Sequence, residues 1–105
     1  MESNFELIVV FVNQGFSDVV MDAAREQGAR GGTIVHARGT GTKDMEKRFG
    51  IIITPNKEMI MILVNKEIKE NVMNAIYKVA GLANDGQGIV FSLPVSEVAG
   101  LKYDG

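Results

Sequence analysis

Two nearly unbroken apolar runs stand out along the chain, "FELIVVFVN" at residues 5–13 and "EMIMILVN" at residues 58–65. Short runs rich in β-branched residues predict β-strands. A strand that is covered on one face alternates apolar with polar residues, but these two carry apolar residues at odd and even positions alike. On the first strand the apolar residues fall into two sets, Phe5, Leu7, Val9 and Phe11 on one side and Ile8, Val10 and Val12 on the other. Both strands therefore need cover on both faces.

Each apolar run is followed by a stretch with helical periodicity. The first helix is expected to begin near Ser17 as its N-cap, to bury Val20, Ala23 and Ala24, and to end at Gly28. The second is expected over Lys66 to Ala80, with Gly81 as its stop. Its apolar stripe consists of Ile68, Val72, Ala75, Ile76 and Val79.

Two shorter strands complete the pattern, Thr33 to Ala37 and Gly88 to Leu93 before Pro94. The chain also repeats itself, since "VMDA" at residues 20–23 matches "VMNA" at residues 72–75. The order β-α-β-β-α-β predicts an α+β, ferredoxin-like sandwich with a four-stranded antiparallel sheet and two helices on one face. We interpret residues 1–105 as a single domain. Since that domain has one helical layer, we expect further copies of the chain to cover the other sheet face.

Composition and charge exclude several classes of function. The 11 basic and 13 acidic residues leave a net charge of −2, which argues against a nucleic-acid partner. The chain has no cysteine and one histidine, so neither thiolates nor a histidine cluster can hold a metal within one chain. The apolar runs are too short to span a bilayer, and we expect a cytoplasmic protein.

Glycines concentrate in two turns, "RGTGTK" at residues 38–43 and "NDGQG" at residues 84–88. No Gly-Lys pair is present for a P-loop, and Asp44 stands where a dinucleotide fingerprint needs its third glycine. The turns could bring backbone N–H groups close to an anion, or they could be ordinary turn chemistry.

The charged residues suggest no catalytic centre. Glu67 and Glu70, beside Lys66 and Lys69, are typical of a solvated helix face. No nucleophile with a base and an orienting group can be assembled from the sequence, so an enzyme is not expected.

Two stretches, "GARGGTIVHARGTG" and "NDGQGIVFSLPV", are similar to the T-loop approach and the B-loop of PII nitrogen-regulatory proteins. The resemblance implies a homotrimer that binds an adenine nucleotide (ADP, ATP or AMP) between subunits. It implies that Thr33 lies near the adenine and that the T-loop base and the B-loop hold the rest of the nucleotide. The nucleotide-binding candidates are therefore Thr33, Gly39, Thr40, Gly41, Lys43, Asn84, Asp85, Gly86 and Gln87.

The chain departs from the family pattern at charged positions. Gln87 stands where the B-loop usually ends in lysine, and of the C-terminal cationic residues only Lys102 remains. Fewer charge-assisted contacts favour ADP or AMP over ATP. Lys43 corresponds to the glutamine that the family uses for magnesium and 2-oxoglutarate, which argues against that sensing, and no metal ligand is assigned.

Residues 42–55 correspond to a shortened T-loop. Met45, Arg48 and Phe49 are its candidate contacts with a partner such as a transporter or an enzyme, and packing within the trimer is the alternative.

A second interpretation of the protein is a trimeric structural or metal-associated module resembling CutA proteins, with three His36 side chains around a threefold axis. A third interpretation is an enzyme with an active site between subunits.

Overall fold

A computed structural model describes residues 4–40, 55–81 and 87–101 of the chain. The described elements, in chain order, are β1 (Phe5–Asn13), α1 (Ser17–Glu26), β2 (Thr33–Arg38), β3 (Asn56–Asn65), α2 (Lys66–Ala80) and β4 (Ile89–Pro94). This order confirms the β-α-β-β-α-β prediction. Both α1 and α2 fall short of the length and apolar character that a membrane crossing requires.

The strands form one four-stranded antiparallel sheet in the order β2-β3-β1-β4. The two strongly apolar strands, β1 and β3, are therefore the central pair. Their register places Ile8 opposite Ile62 and Val10 opposite Ile60, so the same face of both strands is apolar. Cross-strand pairs of this kind stabilise a sheet and fix its register.

The hydrophobic core lies between the sheet and the two helices. From the sheet it contains Ile8, Val10, Val12, Ile60, Ile62 and Val64, and from the helices Val20, Met21, Ala24, Val72, Ile76 and Ala80. Burial of each large aliphatic side chain contributes about 1.5–3 kcal/mol relative to exposure, so this layer holds the helices on one face.

The opposite sheet face is apolar and bears no described element. Strand alternation and the pairing register place on it Phe5, Leu7, Val9, Phe11, Thr33, Val35, Ala37, Met59, Met61, Leu63, Ile89, Phe91 and Leu93, with the polar residues Asn13, Lys57 and Asn65 at the strand ends. Ile89 is 59% exposed and Leu93 is 49% exposed. We call this surface the open face. Its existence confirms that the central strands are apolar on both sides, and assembly through it remains a prediction.

The start of α1 differs from the prediction. Ser17 is the first helical residue and the N-cap is Phe16, which makes no side-chain capping bond. The buried carboxylate of Glu58 on β3 serves this end of the helix instead: Gly15 N–H donates to Oε1 at 2.8 Å, and Ser17 Oγ lies 3.4 Å from Oε2. At the other end, Gly28 has φ +102° and its N–H donates to the Arg25 carbonyl, as predicted.

The α2 stripe is also partly different. Ile68, Val72 and Ile76 contact or join the core, but Val79 is 41% exposed and Ala80 is buried in its place. The predicted stripe was wrong at Val79 because that side chain faces the groove between the helices rather than the sheet. Asn65 caps the helix through its side chain, which accepts from Glu67 N–H at 3.0 Å.

The strand ends shift by one or two residues. β2 extends to Arg38, β3 begins at Asn56 rather than residue 58, and β4 covers Ile89–Pro94 rather than beginning at Gly88. Pro94 ends an edge strand, where a residue without an N–H is tolerated.

Lys69 does not belong to the solvated face predicted for α2. Lys66, Glu67 and Glu70 are exposed, but the Lys69 side chain is only 27% exposed and its Nζ lies 3.5 Å from Oε1 of Glu6. Glu6 is buried on the helix side of β1, and among the described residues its Oε2 has no hydrogen-bond partner. The ammonium of Lys69 therefore compensates a carboxylate inside the core.

Replacing Lys69 with Met should lower the free energy of unfolding by about 1–3 kcal/mol, because removing one partner of a buried pair leaves an uncompensated charge. Lys66→Met is the matched control, since Lys66 is an exposed lysine of the same helix. Urea denaturation at equal protein concentration measures both. Equal effects of the two substitutions would show that the Glu6 carboxylate does not need Lys69.

Candidate ligand-binding site

A cavity of about 210 Å³ opens where β2 ends and β4 begins. Its lining comes from all four strands and from the segment before β4: Phe11, Ala37, Arg38, Gly39, Lys57, Gln87 and Ile89. Phe11, Ala37 and Ile89 give it apolar walls, and Lys57 and Gln87 are polar residues of its lining. Alternation along β2 places the Arg38 side chain on the helix-bearing side, so Arg38 borders the cavity near its backbone. Apolar walls with a few convergent polar groups are typical of small-molecule sites.

Gly39 makes room for Lys57. A Cβ at position 39 would lie 3.2 Å from Cε and 3.4 Å from Cγ of Lys57, which is tighter than ordinary contact. The Gly39 N–H donates to the Pro55 carbonyl at 2.7 Å, which holds the end of β2 beside the start of β3. The role of this glycine in the described structure is thus to let the lysine stem cross the strand end.

Lys57 is held at both ends of its side chain. Its stem lies against Gly39, and its Nζ donates to Oδ1 of Asn13 at 2.5 Å. Burial lowers the pKa of Lys57 below its ordinary value, because a desolvated ammonium is less favourable than a hydrated one. Sequence reasoning missed both Lys57 and Asn13, because Lys57 lies before the strand predicted at residues 58–65 and its contact with Asn13 depends on the β1–β3 register.

Gln87 reaches the cavity from a constrained backbone. Its φ is +48°, a left-handed conformation that is uncommon outside glycine. Next to it, Gly88 forms a parallel bridge with Gly81 and donates its N–H to the Ala80 carbonyl at 2.5 Å. A Cβ on Gly88 would lie 2.2 Å from that carbonyl oxygen, so the close approach requires glycine.

The structure brings together some of the nucleotide-binding candidates. Gly39 and Gln87, from separate turns of the sequence, line the same cavity, and Thr40 follows Gly39 as an exposed residue. Thr33 lies on the open face at the other end of β2, roughly 20 Å from Gly39 at the rise of an extended strand. Outside the described residues lie Gly41, Lys43, Asn84, Asp85 and Gly86, together with the partner-loop candidates Met45, Arg48 and Phe49.

His36 lies on the helix-bearing side of β2. It pairs across the ladder with Glu58, whose side chain belongs to that side, and it is exposed. Within residues 4–40, 55–81 and 87–101, no group of three or more metal-ligating side chains is found. The cavity described above contains one lysine, Lys57, and lies on the other side of the sheet from His36.

Comparison with known proteins shows the family to which the chain belongs. The model of the nitrogen regulatory protein P-II family matches residues 5–104, and the chain belongs to this family. Among solved structures it is similar to Arabidopsis thaliana PII bound to citrate, with 29% identity, a TM-score of 0.68, and coverage of 92% of this chain and 80% of that one. No curated protein sequence matches the chain.

More distant structures share the fold. CPII, a nitrogen regulatory PII-like protein from Thiomonas intermedia bound to ADP, AMP and bicarbonate, has 15% identity and a TM-score of 0.68, with 92% of this chain and 96% of that one covered. A PII-like signalling protein from Thermus thermophilus has 15% identity and a TM-score of 0.62, with 89% and 90% covered. The ferredoxin-like architecture predicted from the sequence is therefore that of this family.

Gly88→Ala should lower the free energy of unfolding by about 1–3 kcal/mol and shift the backbone amide resonance of Gln87, because the new methyl group overlaps the Ala80 carbonyl. Gly31→Ala is the matched control, since a Cβ there meets nothing within 4 Å. Denaturation and amide NMR spectra measure both effects. A Gly88→Ala protein as stable as the control, with Gln87 unmoved, would contradict the close approach.

Proposed function

We propose that the protein is a homotrimeric PII-like regulator that binds an adenine nucleotide in clefts between its subunits. Its signal passes through residues 42–55 to a partner protein, a transporter or an enzyme. It acts in the cytoplasm, as a regulator rather than a catalyst, and without a nucleic-acid partner. ADP is the preferred ligand, with AMP and ATP as the alternatives.

The main support for the proposal is that Gly39 and Gln87 line the same cavity in a member of this family. These residues belong to the two turns for which a nucleotide role was predicted. The apolar walls suit a base or sugar, and Lys57 suits a phosphate oxygen. The related structures with citrate and with ADP and AMP show that anionic ligands occur among PII and PII-like proteins.

A neighbouring subunit accounts for two further features. Thr33 is too far along β2 to reach the cavity of its own chain, but a second copy could bring its Thr33 there. The open face exposes Ile89, Phe91 and Leu93, and a companion chain would remove this apolar surface from water. Both features are explained if copies meet through the open face.

The CutA-like alternative fits this assembly less well. Copies that meet through the open face turn their helix-bearing sides outward, and His36 lies on that side. Three His36 side chains would then point away from the axis instead of meeting on it. No described feature favours a metal-associated module over a nucleotide-binding regulator.

Phe91→Glu should convert the trimer to monomers at micromolar concentration. Phe91 is 40% exposed on the open face, where it stacks against Phe11 with ring centroids 6.4 Å apart, and a carboxylate there would be desolvated on assembly. Tyr77→Glu is the control, because Tyr77 is an aromatic residue of α2 that is 60% exposed. Sedimentation velocity distinguishes the species. A folded wild-type monomer under the same conditions would refute the assembly.

Calorimetry of the wild-type protein should show ADP binding more tightly than ATP, since fewer cationic side chains are present to meet a triphosphate. AMP, cyclic dinucleotides and S-adenosylmethionine form the comparison set. Absence of binding by every one of these ligands at millimolar concentration would overturn the nucleotide proposal.

A further inference from the structure

A groove runs between α1 and α2 on the helical side of the domain. It has a volume of about 390 Å³ and shares no lining residue with the cavity at the ends of β2 and β4. Its lining consists of Ala23, Glu26, Gln27, Asn71, Asn74, Ala75, Lys78 and Val79. Copies of the chain that meet through the open face would leave this groove on the outside of the assembly, where a ligand could reach it.

The floor of the groove comes from the internal repeat of the sequence. The matched stretches "VMDA" and "VMNA" end in Ala23 on α1 and Ala75 on α2, so each helix contributes a methyl group where a larger side chain would fill the space. Val79 adds apolar surface, because it lines the groove and is exposed. The floor therefore suits an aliphatic group.

The two helices run antiparallel, which places the charges of the groove at opposite ends. β1 and β3 are antiparallel, and a Cβ on Gly28, just after α1, would lie 3.5 Å from Cδ1 of Ile68 in the first turn of α2. Glu26, the last residue of α1, therefore lies beside the N-terminal half of α2, whereas Lys78 belongs to the last turn of α2. Asn71 and Lys78 are separated by about 10 Å along the helix axis.

The two ends also differ in their hydrogen-bonding groups. At the Glu26 end, Gln27 and Asn71 carry amide oxygens that can accept from a cationic group together with the carboxylate. At the other end, Lys78 keeps a contact within its own chain, but an ammonium has three N–H donors and can engage a ligand carboxylate as well. Acceptors at one end and donors at the other match a ligand with two opposite charges.

We propose that the groove binds a small zwitterion in which a short aliphatic chain joins an ammonium or guanidinium group to a carboxylate. The cationic group meets Glu26, the chain lies on Ala23 and Ala75, and the carboxylate meets Lys78. This site goes beyond the proposed function and does not depend on the nucleotide cavity.

Charge complementarity favours a zwitterion over a ligand with a single charge. An anion is attracted by Lys78 but repelled by Glu26, and a cation experiences the reverse. Both side chains are exposed, so each ion pair should contribute only about two- to fivefold in affinity. A dissociation constant in about the millimolar range is therefore expected at low ionic strength, where screening is weak.

The test titrates the full-length chain with ε-aminocaproate at low ionic strength and follows the amide NMR spectrum. The comparison ligands are glycine, whose two charges are adjacent, and caproate and hexylamine, which carry one charge each. We expect ε-aminocaproate to bind about threefold or more tighter than each of them, with amide shifts in α1 and α2 and not at Gly39 or Gln87. Equal affinity for a singly charged ligand, or shifts centred outside the two helices, would overturn the proposal.

Charge reversal tests the roles of Glu26 and Lys78. Glu26→Lys and Lys78→Glu should each abolish the preference for ε-aminocaproate, because both ends then carry the same charge, and the double variant should restore part of it with the ligand reversed. Glu70→Gln and Lys66→Met are the controls, since they remove exposed charges outside the lining. Wild-type affinity in either single reversal, or a folded double variant that does not bind, would refute the assignment.

Ala75→Leu tests the floor without changing any charge. The larger side chain should fill the space between the helices and weaken ε-aminocaproate about threefold or more. A folded Ala75→Leu protein that binds as tightly as wild type would show that the ligand does not occupy the groove. Amide NMR spectra establish that each variant folds.

An ADP titration of the same proteins separates this inference from the proposed function. If ε-aminocaproate binds as expected and ADP does not bind, the zwitterion site stands and the nucleotide proposal fails. If ADP binds and ε-aminocaproate does not, the nucleotide proposal stands and the zwitterion site is refuted.

Discussion

The constraint on which the rest of the structure depends is that β1 and β3 are apolar on both sides. One side is covered by α1 and α2, and the other is left without a described covering element. Both helices of the described residues, α1 and α2, pack on the same face, so within residues 4–40, 55–81 and 87–101 no helix covers the other face. The hydrophobic effect thus both stabilises the domain and favours its association, and the cavity lies at the margin of the surface that association would cover.

Much of the fold follows from local patterns in the sequence. Continuous apolar runs predicted β1 and β3, helical periodicity predicted α1 and α2, and Gly28 ended α1 as its conformational freedom suggests. Local patterns could not predict which side chains far apart in the sequence contact each other. Ser17 is an ordinary N-cap residue type, but the carboxylate that serves that helix end comes from Glu58, 41 residues away.

The same distinction applies to the candidate site. Glycine-rich turns and the family resemblance indicated Gly39 and Gln87, and the structure places both at one cavity. Lys57 and Asn13 were missed because a lone lysine and an asparagine at a strand end have no local signature. Their contact joins residues 44 positions apart, and only the β1–β3 register brings them together. The contacts of a polar residue on an apolar sheet face can be inferred only when the neighbouring strand and its register are known.

The bridge between Gly81 and Gly88 has a consequence for how this family member can vary. The chain leaves the end of α2 and returns to it within seven residues, with both ends fastened by backbone contacts to the same turn. Gln87, which lines the cavity directly before this bridge, could therefore be replaced without changing the backbone contacts that hold the start of β4. The lining of the cavity and the anchoring of β4 are thus set by neighbouring but separate residues, Gln87 for the first and Gly88 for the second.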